Sequence, residues 1–303
     1  MGRGDLQEVT AGDSSELYYV DVGLFDSPAY GSVYLLDGDE PALVDTGTGH
    51  SYEVVLGALA ELGIDRETLS AILLTHVHLD HAGGASPLSR ACPNADVYVH
   101  GSGAQFLREP AQLWAGTEAV VGDRIEYYRE PDPIPDSRLV ELVDGDRVRL
   151  GGRRLDVHRA PGHAFHQVVY HDRGSDGVFT ADAAGIYVPA LDRVLPTSPP
   201  PGFDLDSCLD DVAMLEGLGP TALYYAHFGD QPTGDRLVGY RDRLREWVET
   251  VATRRAELGD DEAVAEHFAD RVDTTGVWGP AHARGEARMN VAGVLGYLDE
   301  QGH

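Results

Sequence analysis

The chain contains no lysine, so all of its fixed positive charge is arginine, 23 residues against 51 aspartates and glutamates. The formal charge of −28 over 303 residues weighs against nucleic acid as a substrate. Acidity adapted to salt would cover any protein's surface, however, including one with a local phosphate-binding patch. Such a surface repels itself in dilute buffer, whereas molar salt shortens the screening length to ~3 Å. A salt-loving source is the expectation, and full stability in dilute buffer would contradict it. Cysteine is nearly absent: Cys92 and Cys208 alone make neither a disulfide framework nor a zinc ribbon. No run approaches ~18 uninterrupted apolar residues, which gives no indication of a membrane span. The opening residues Met-Gly-Arg-Gly-Asp-Leu-Gln-Glu lack a signal-peptide core. The chain therefore reads as soluble and cytoplasmic. It is long enough for one large domain, or for one domain with an appendage.

What the sequence does contain is concentrated at 75–81, Thr-His-Val-His-Leu-Asp-His, directly after the apolar run 71–74. Three histidines and a carboxylate crowded at the end of a buried strand point to a cation between them. Imidazole with carboxylate suits zinc first, with iron or manganese also compatible. A structural ion pair is the plainer alternative, and the spacing argues against it.

Apolar runs at 17–22, 32–36, 42–45, 71–74, 97–100, 155–159, 168–170, 177–180 and 222–226 read as strands. Asp144-Gly145 between 139–143 and 147–150 is a hairpin signal. Helical spacing marks 54–62, and helices are also expected near 102–107 and 206–218. Residues 110–137, rich in proline and acid, read as a long loop with some helix, a candidate lid or pocket wall. Beyond about residue 230 the texture is helical alone, at 237–257 and 261–272. Val291, Val294, Leu295 and Leu298 then form one apolar stripe. The expected fold is α/β: stacked sheets flanked by helices, with a C-terminal helical subdomain.

Candidate ligands recur at the ends of apolar runs: His76, His78, Asp80 and His81, then His163, Asp182 and His227. Strand ends on one rim of a sandwich can converge although far apart in sequence. At this point the chain resembles the metallo-β-lactamase superfamily. The resemblance rests on His-x-His-x-Asp-His at 76–81, Pro-Gly-His at 161–163, Asp182, His227 and Val-Asp-Thr-Gly at 44–47, and it spans residues ~15–230.

The resemblance implies an αββα sandwich of two mixed sheets over 1–230, with a helical extension at 231–303 covering the cleft as in glyoxalase-II-like relatives. It implies one metal on His76, His78 and His163, a second on Asp80, His81 and His227, and Asp182 bridging them. The implied chemistry is hydrolysis of an ester, thioester or lactone by a hydroxide shared between two divalent ions. Asp80 and Asp182 would be the catalytic carboxylates, and Asp80 would also relay a proton. Asp182 is followed by Ala-Ala-Gly-Ile-Tyr where glyoxalase II has Cys-Gly-Arg, and His227 sits in Ala-His-Phe-Gly, so glutathione specificity is not implied. A mononuclear iron persulfide dioxygenase and a phosphodiesterase of the same fold are the alternatives.

Around the ligands, Asp45 reads as support for a histidine ligand, or as a turn-forming aspartate before Thr-Gly. His166 reads as supporting or pocket-lining, with a surface position the alternative. Tyr187, Phe165 and Phe228 are candidates for the substrate wall, each weighed against ordinary packing. His100 is expected to be structural, and the remaining histidines carry no distinguishing spacing. The implied partner is a small molecule, with neither nucleic acid nor membrane expected.

Overall fold

The computed structural model describes residues 1–302. Seven strands form the first sheet: β1 (Leu6–Glu8), β2 (Leu17–Asp21), β3 (Ser32–Leu36), β4 (Ala42–Val44), β5 (Ala71–Leu73), β6 (Asp96–His100) and β7 (Leu139–Leu142), ordered as in sequence. The pairings β1 to β4 are antiparallel, and those from β4 to β7 are parallel. Helices supply the parallel crossovers, as parallel pairing requires: α1 (Tyr52–Glu61), α2 (Leu79–Ala82), α3 (Ala85–Ala91), α4 (Gly101–Arg108) and α5 (Ala111–Val121).

The second sheet continues with β8 (Arg147–Leu150), β9 (Arg153–Arg159), β10 (Val168–Asp172) and β11 (Gly177–Ala181). A separate hairpin of β12 (Ile186–Val188) and β13 (Arg193–Leu195) follows, then helix α6 (Leu205–Leu218). β14 (Ala222–Tyr225) and β15 (Gly229–Pro232) complete the sheet, in the order β15-β14-β11-β10-β9-β8. Among its described pairings only β11 and β14 run parallel. The chain ends in α7 (Arg236–Leu258), α8 (Asp261–Ala269), α9 (Thr275–Trp278) and α10 (Pro280–Glu300).

Side-chain alternation builds four layers, because successive residues of a strand face opposite sides. Tyr34, Leu36, Ala42, Val44, Leu73, Tyr170 and Phe179 meet between the sheets. Their sequence neighbours Val33, Leu35, Leu43 and Ile72 face α1 and α3 on the outside. Val169, Val178, Leu223 and Tyr225 face α6, α7 and α10. The order is helices, sheet, sheet, helices, the expected αββα sandwich of two mixed sheets.

Two local expectations are corrected. Asp144-Gly145 is a tight turn, with Asp146 N–H donating to the Val143 carbonyl at 3.2 Å, but its arms are not a hairpin. β7 pairs with β6 in the first sheet and β8 with β9 in the second, so the turn carries the chain between layers. The hairpin lies one turn later, at Gly151-Gly152. Residues 110–137 are mostly helical: α5 and two 3-10 segments, Gly122–Tyr127 and Asp136–Arg138. The strands β1, β12, β13 and β15 are not among those the sequence marks.

The stripe Val291, Val294, Leu295 and Leu298 is buried on α10. That helix lies against the proline-rich segment before α6: the Ser198 hydroxyl donates to the Asn290 carbonyl at 2.9 Å, and a Cβ at Gly293 would collide with the Ser198 carbonyl. None of the helices among the described residues is long and apolar enough to cross a membrane.

Candidate metal centre

Each candidate ligand is delivered by a strand end on one rim. β4 and β5 are parallel neighbours, so Asp45 and the segment 75–81 leave the sheet at the same edge. β11 and β14 are parallel neighbours in the other sheet, which brings Asp182 and His227 out together. A register shift between Phe179 and Ala181 and a left-handed Ala181 (φ 48°) re-aim the chain before Asp182. Bulges of this kind recur beside active sites.

His163 lies in the loop after β9, held to the start of α6. Gly162 N–H donates to Asp211 Oδ2 at 2.7 Å, and its carbonyl accepts from Asp204 N–H at 3.1 Å. A Cβ at Gly162 would strike the Cys208 backbone, so only glycine allows this approach.

The seven side chains come together as three overlapping groups: His76, His78 and His163; His76, His81 and Asp182; Asp80, His81 and His227. Asp182 sits among them. Its Oδ2 is 3.1 Å from His81 Nε2, 3.5 Å from His76 Nε2 and 3.6 Å from His163 Nε2. Its Oδ1 is 3.6 Å from His227 Nε2. Asp80 Oδ2 lies 3.6 Å from His81 Nε2 and 3.7 Å from His227 Nε2.

These donors fit divalent cations on chemical grounds. His78 Nδ1 and His163 Nε2 are 3.1 Å apart, and His81 Nε2 and His227 Nε2 are 3.3 Å apart. Two imidazole lone pairs at that separation need a proton or a cation between them. The buried His76 Nε2 has no hydrogen-bond partner among the described residues.

Burial sets the protonation. It pushes His78 down to about 3 and lowers His76 and His163, with neighbouring histidines adding to the effect at His76 and His78. Neutral imidazole is the form that binds metal. At His81 burial acts downward too, yet Asp80, Asp182 and Asp45 together raise it well above its ordinary value. Burial opposes ionisation of Asp182, and the imidazoles of His163, His81 and His227 nonetheless hold it low.

Outside this set, Asp45 Oδ2 meets His81 Nδ1 at 2.9 Å, while Oδ1 accepts from Thr75 N–H and Oγ at 2.9 Å each. Asp45 adopts φ 61°, a left-handed conformation that aspartate tolerates better than most residues. The Tyr30 carbonyl fixes His227 Nδ1 at 2.7 Å, leaving Nε2 for the site. His166 is buried, stacks on His76 with ring centroids 6.1 Å apart, and burial pushes it down to about 2.

A cavity of about 290 Å³ opens over the cluster, lined by His78, Asp80, His163, His166, Asp182 and His227 among others. Phe165 lines it as well. Tyr187 and Phe228 do not, correcting their assignment to the substrate wall. Tyr187 stacks on Tyr225 in the outer core and donates to Asp192 at 3.0 Å; Phe228 packs edge-on against Tyr19. His100 is structural, its Nδ1 against the Ser102 hydroxyl at 2.7 Å at the start of α4. His303 lies outside the described residues.

Sequence reasoning missed Thr75, Gln167 and Asp211, which act on the site through hydrogen bonds. Gln167 Oε1 accepts from Asp182 N–H at 3.3 Å. It also missed Arg124, Glu286 and Met289 on the cavity wall. Thr75 and Gln167 are close neighbours of motif residues, and that proximity was the available signal. The others carry none.

The family model of the metallo-beta-lactamase superfamily matches residues 26–227, and the chain belongs to that superfamily. Among curated relatives, a metallo-beta-lactamase fold-containing protein of Sulfurisphaera tokodaii is 27% identical over 70% of this chain and 78% of its own. Acyl-coenzyme A thioesterase MBLAC2 of Gallus gallus is 30% identical over 55% of this chain and 62% of its own length. Hydroxyacylglutathione hydrolase of Aeromonas salmonicida is 33% identical over 40% of this chain and 35% of its own. In structure, the chain resembles an archaeal superfamily protein from Sulfolobus tokodaii at TM-score 0.68 and 24% identity, covering 97% of this chain and 98% of that one. It also resembles a family protein from Thermus thermophilus at TM-score 0.64 and 25% identity, covering 95% and 94%.

Proposed function

We propose that this chain is a metal-dependent hydrolase that opens an ester, thioester or lactone bond with two divalent ions, zinc first among them. The observation that carries the reading is the position of Asp182, whose carboxylate lies within 3.6 Å of His76 and His163 and also of His81 and His227. That position suits a carboxylate shared by two ions. His76, His78 and His163 would hold one ion, and Asp80, His81 and His227 the other. Bound ions would supply hydroxide near neutral pH and polarise the scissile carbonyl.

The protein's own part is orientation and proton handling. Asp45 and the Tyr30 carbonyl fix the rings of His81 and His227, a support that sets ligand tautomer and direction. Asp80 opens to the cavity, its side chain one-quarter exposed. That suits it to carry a proton to the departing oxygen or sulfur. His166 would brace His76 from behind.

The complete second set, Asp80, His81 and His227, supports two ions over a single iron. Among the described residues Arg124 is the only arginine on the cavity wall, which favours a small uncharged acyl group over a polyanionic nucleic acid. We read residues 1–230 as the catalytic unit and 231–303 as an extension over its cleft, since Glu286 and Met289 of α10 reach the cavity. Two unpaired buried cysteines agree with a reducing, cytoplasmic setting, and the acidity agrees with salt adaptation.

A panel of one thioester, one lactone, one simple ester and one phosphodiester, assayed in molar salt, tests the reaction class. Hydrolysis of a carbonyl substrate, abolished by Asp182→Ala, is expected. Phosphodiester cleavage alone, or normal turnover by the variant, would contradict the reading.

A further inference from the structure

One wall of the cavity is a single face of α5. Leu113, Gly116, Thr117, Val120 and Val121 line it, at the spacing i, i+3, i+4, i+7, i+8 of an amphipathic helix. Such a stripe ordinarily enters a core. Here no residue of α5 is buried; Leu113, Thr117, Val120 and Val121 are half-buried, while Ala111, Ala115, Glu118 and Ala119 on the other side are exposed.

Phe25, Phe106, Phe165, Ile186 and Met289 line the rest of the cavity, drawn from separate parts of the chain. His78, His163 and Asp182 line the same cavity. Its arginine is already engaged: Arg124 lies 3.5 Å from Glu286 and 5.2 Å from the Phe25 ring centroid. The wall thus offers apolar surface, and its cation is paired internally.

We propose that the α5 stripe seats the acyl chain of the substrate, so that the site takes an ester or thioester of an unbranched fatty acid. The proposal rests on the hydrolase reading and deepens it. The carbonyl lies at the histidine–aspartate cluster and the chain runs along α5. Water adds to the carbonyl carbon, the bond to oxygen or sulfur breaks, and the leaving atom takes the proton, giving fatty acid and alcohol or thiol. Each methylene laid on the stripe leaves water, worth about two- to four-fold in kcat/KM or affinity. The gain stops when the chain outgrows a cavity of about 290 Å³.

Two measurements on the zinc-loaded full chain test this. One is kcat/KM for p-nitrophenyl esters from acetate to dodecanoate, with a constant leaving group. The other is calorimetric affinity for the free carboxylates from butanoate to dodecanoate, which needs no turnover. Both are expected to climb with chain length and then level off. Val120→Asp should flatten the climb and Thr117→Leu should steepen it. Ala119→Asp, on the solvent face of the same helix, should leave it unchanged.

Hydrolysis without chain-length dependence would overturn the acyl seat and leave the hydrolase reading standing. Chain-dependent carboxylate binding without hydrolysis of any ester would overturn the hydrolase reading and keep the seat. Carboxylate affinity that ignores chain length, with no hydrolysis, would overturn both.

Discussion

Asp211 is a buried carboxyl whose working partner is a single backbone N–H. By accepting from Gly162 at 2.7 Å it ties the loop of His163 to α6. Burial pushes it up to about 7, against the opposing effect of that hydrogen bond. Unfolded, the group would titrate near ~3.9. Because the folded value is the higher one, the native state holds the proton more tightly. The stabilisation is full below about pH 4 and is lost as pH rises through about 7. Asp211→Asn keeps an acceptor for Gly162 and removes the titration. Wild type should therefore lose stability relative to this variant between pH 5 and 8, by a few kcal/mol as an order of magnitude, read from urea midpoints at constant salt. Parallel pH profiles for the two proteins would contradict the assignment. Asp45 shows the opposite economy, one carboxylate serving Thr75 and His81 together. It was legible because it ends an apolar run before Thr-Gly, whereas Asp211 is one of several acids on an ordinary amphipathic helix.

At the scale of elements, local signals carried far and pairing partners did not. The ligand positions were legible because each follows an apolar run, and strand ends are where a sheet presents side chains to a shared rim. The turn at 144–145 was equally legible as a turn. What sequence could not convey is that β7 and β8 on its two sides join different sheets; a tight turn specifies local geometry, not the ladder its arms enter. For 110–137, proline and acid suggested a loop, while the stretch from Ala111 to Val121 forms a helix. Leu113, Val120 and Val121 line the cavity, so a period that normally signals core burial was diluted by the polar segment following it. Closeness in sequence to Asp182 makes Tyr187 a candidate for the substrate wall. The chain turns at Gly185 (φ 78°) into a hairpin that directs the ring to the far side.

At the scale of the molecule, a charge of −28 surrounds a cluster of buried histidines that needs positive charge at its centre. The negative surface favours cations over anions at the rim and repels itself when salt is low. Thermal stability should accordingly climb from dilute buffer to molar sodium chloride; a melting temperature independent of salt would remove the idea of salt adaptation. The central claim is narrower and concerns the seven side chains around Asp182. Its most direct measurement is the metal content of the purified, zinc-loaded chain by elemental analysis, wild type against Asp182→Ala. Two equivalents per chain in wild type and one or none in the variant are expected. A fully active wild type holding a single equivalent, or a variant that keeps both, would contradict it.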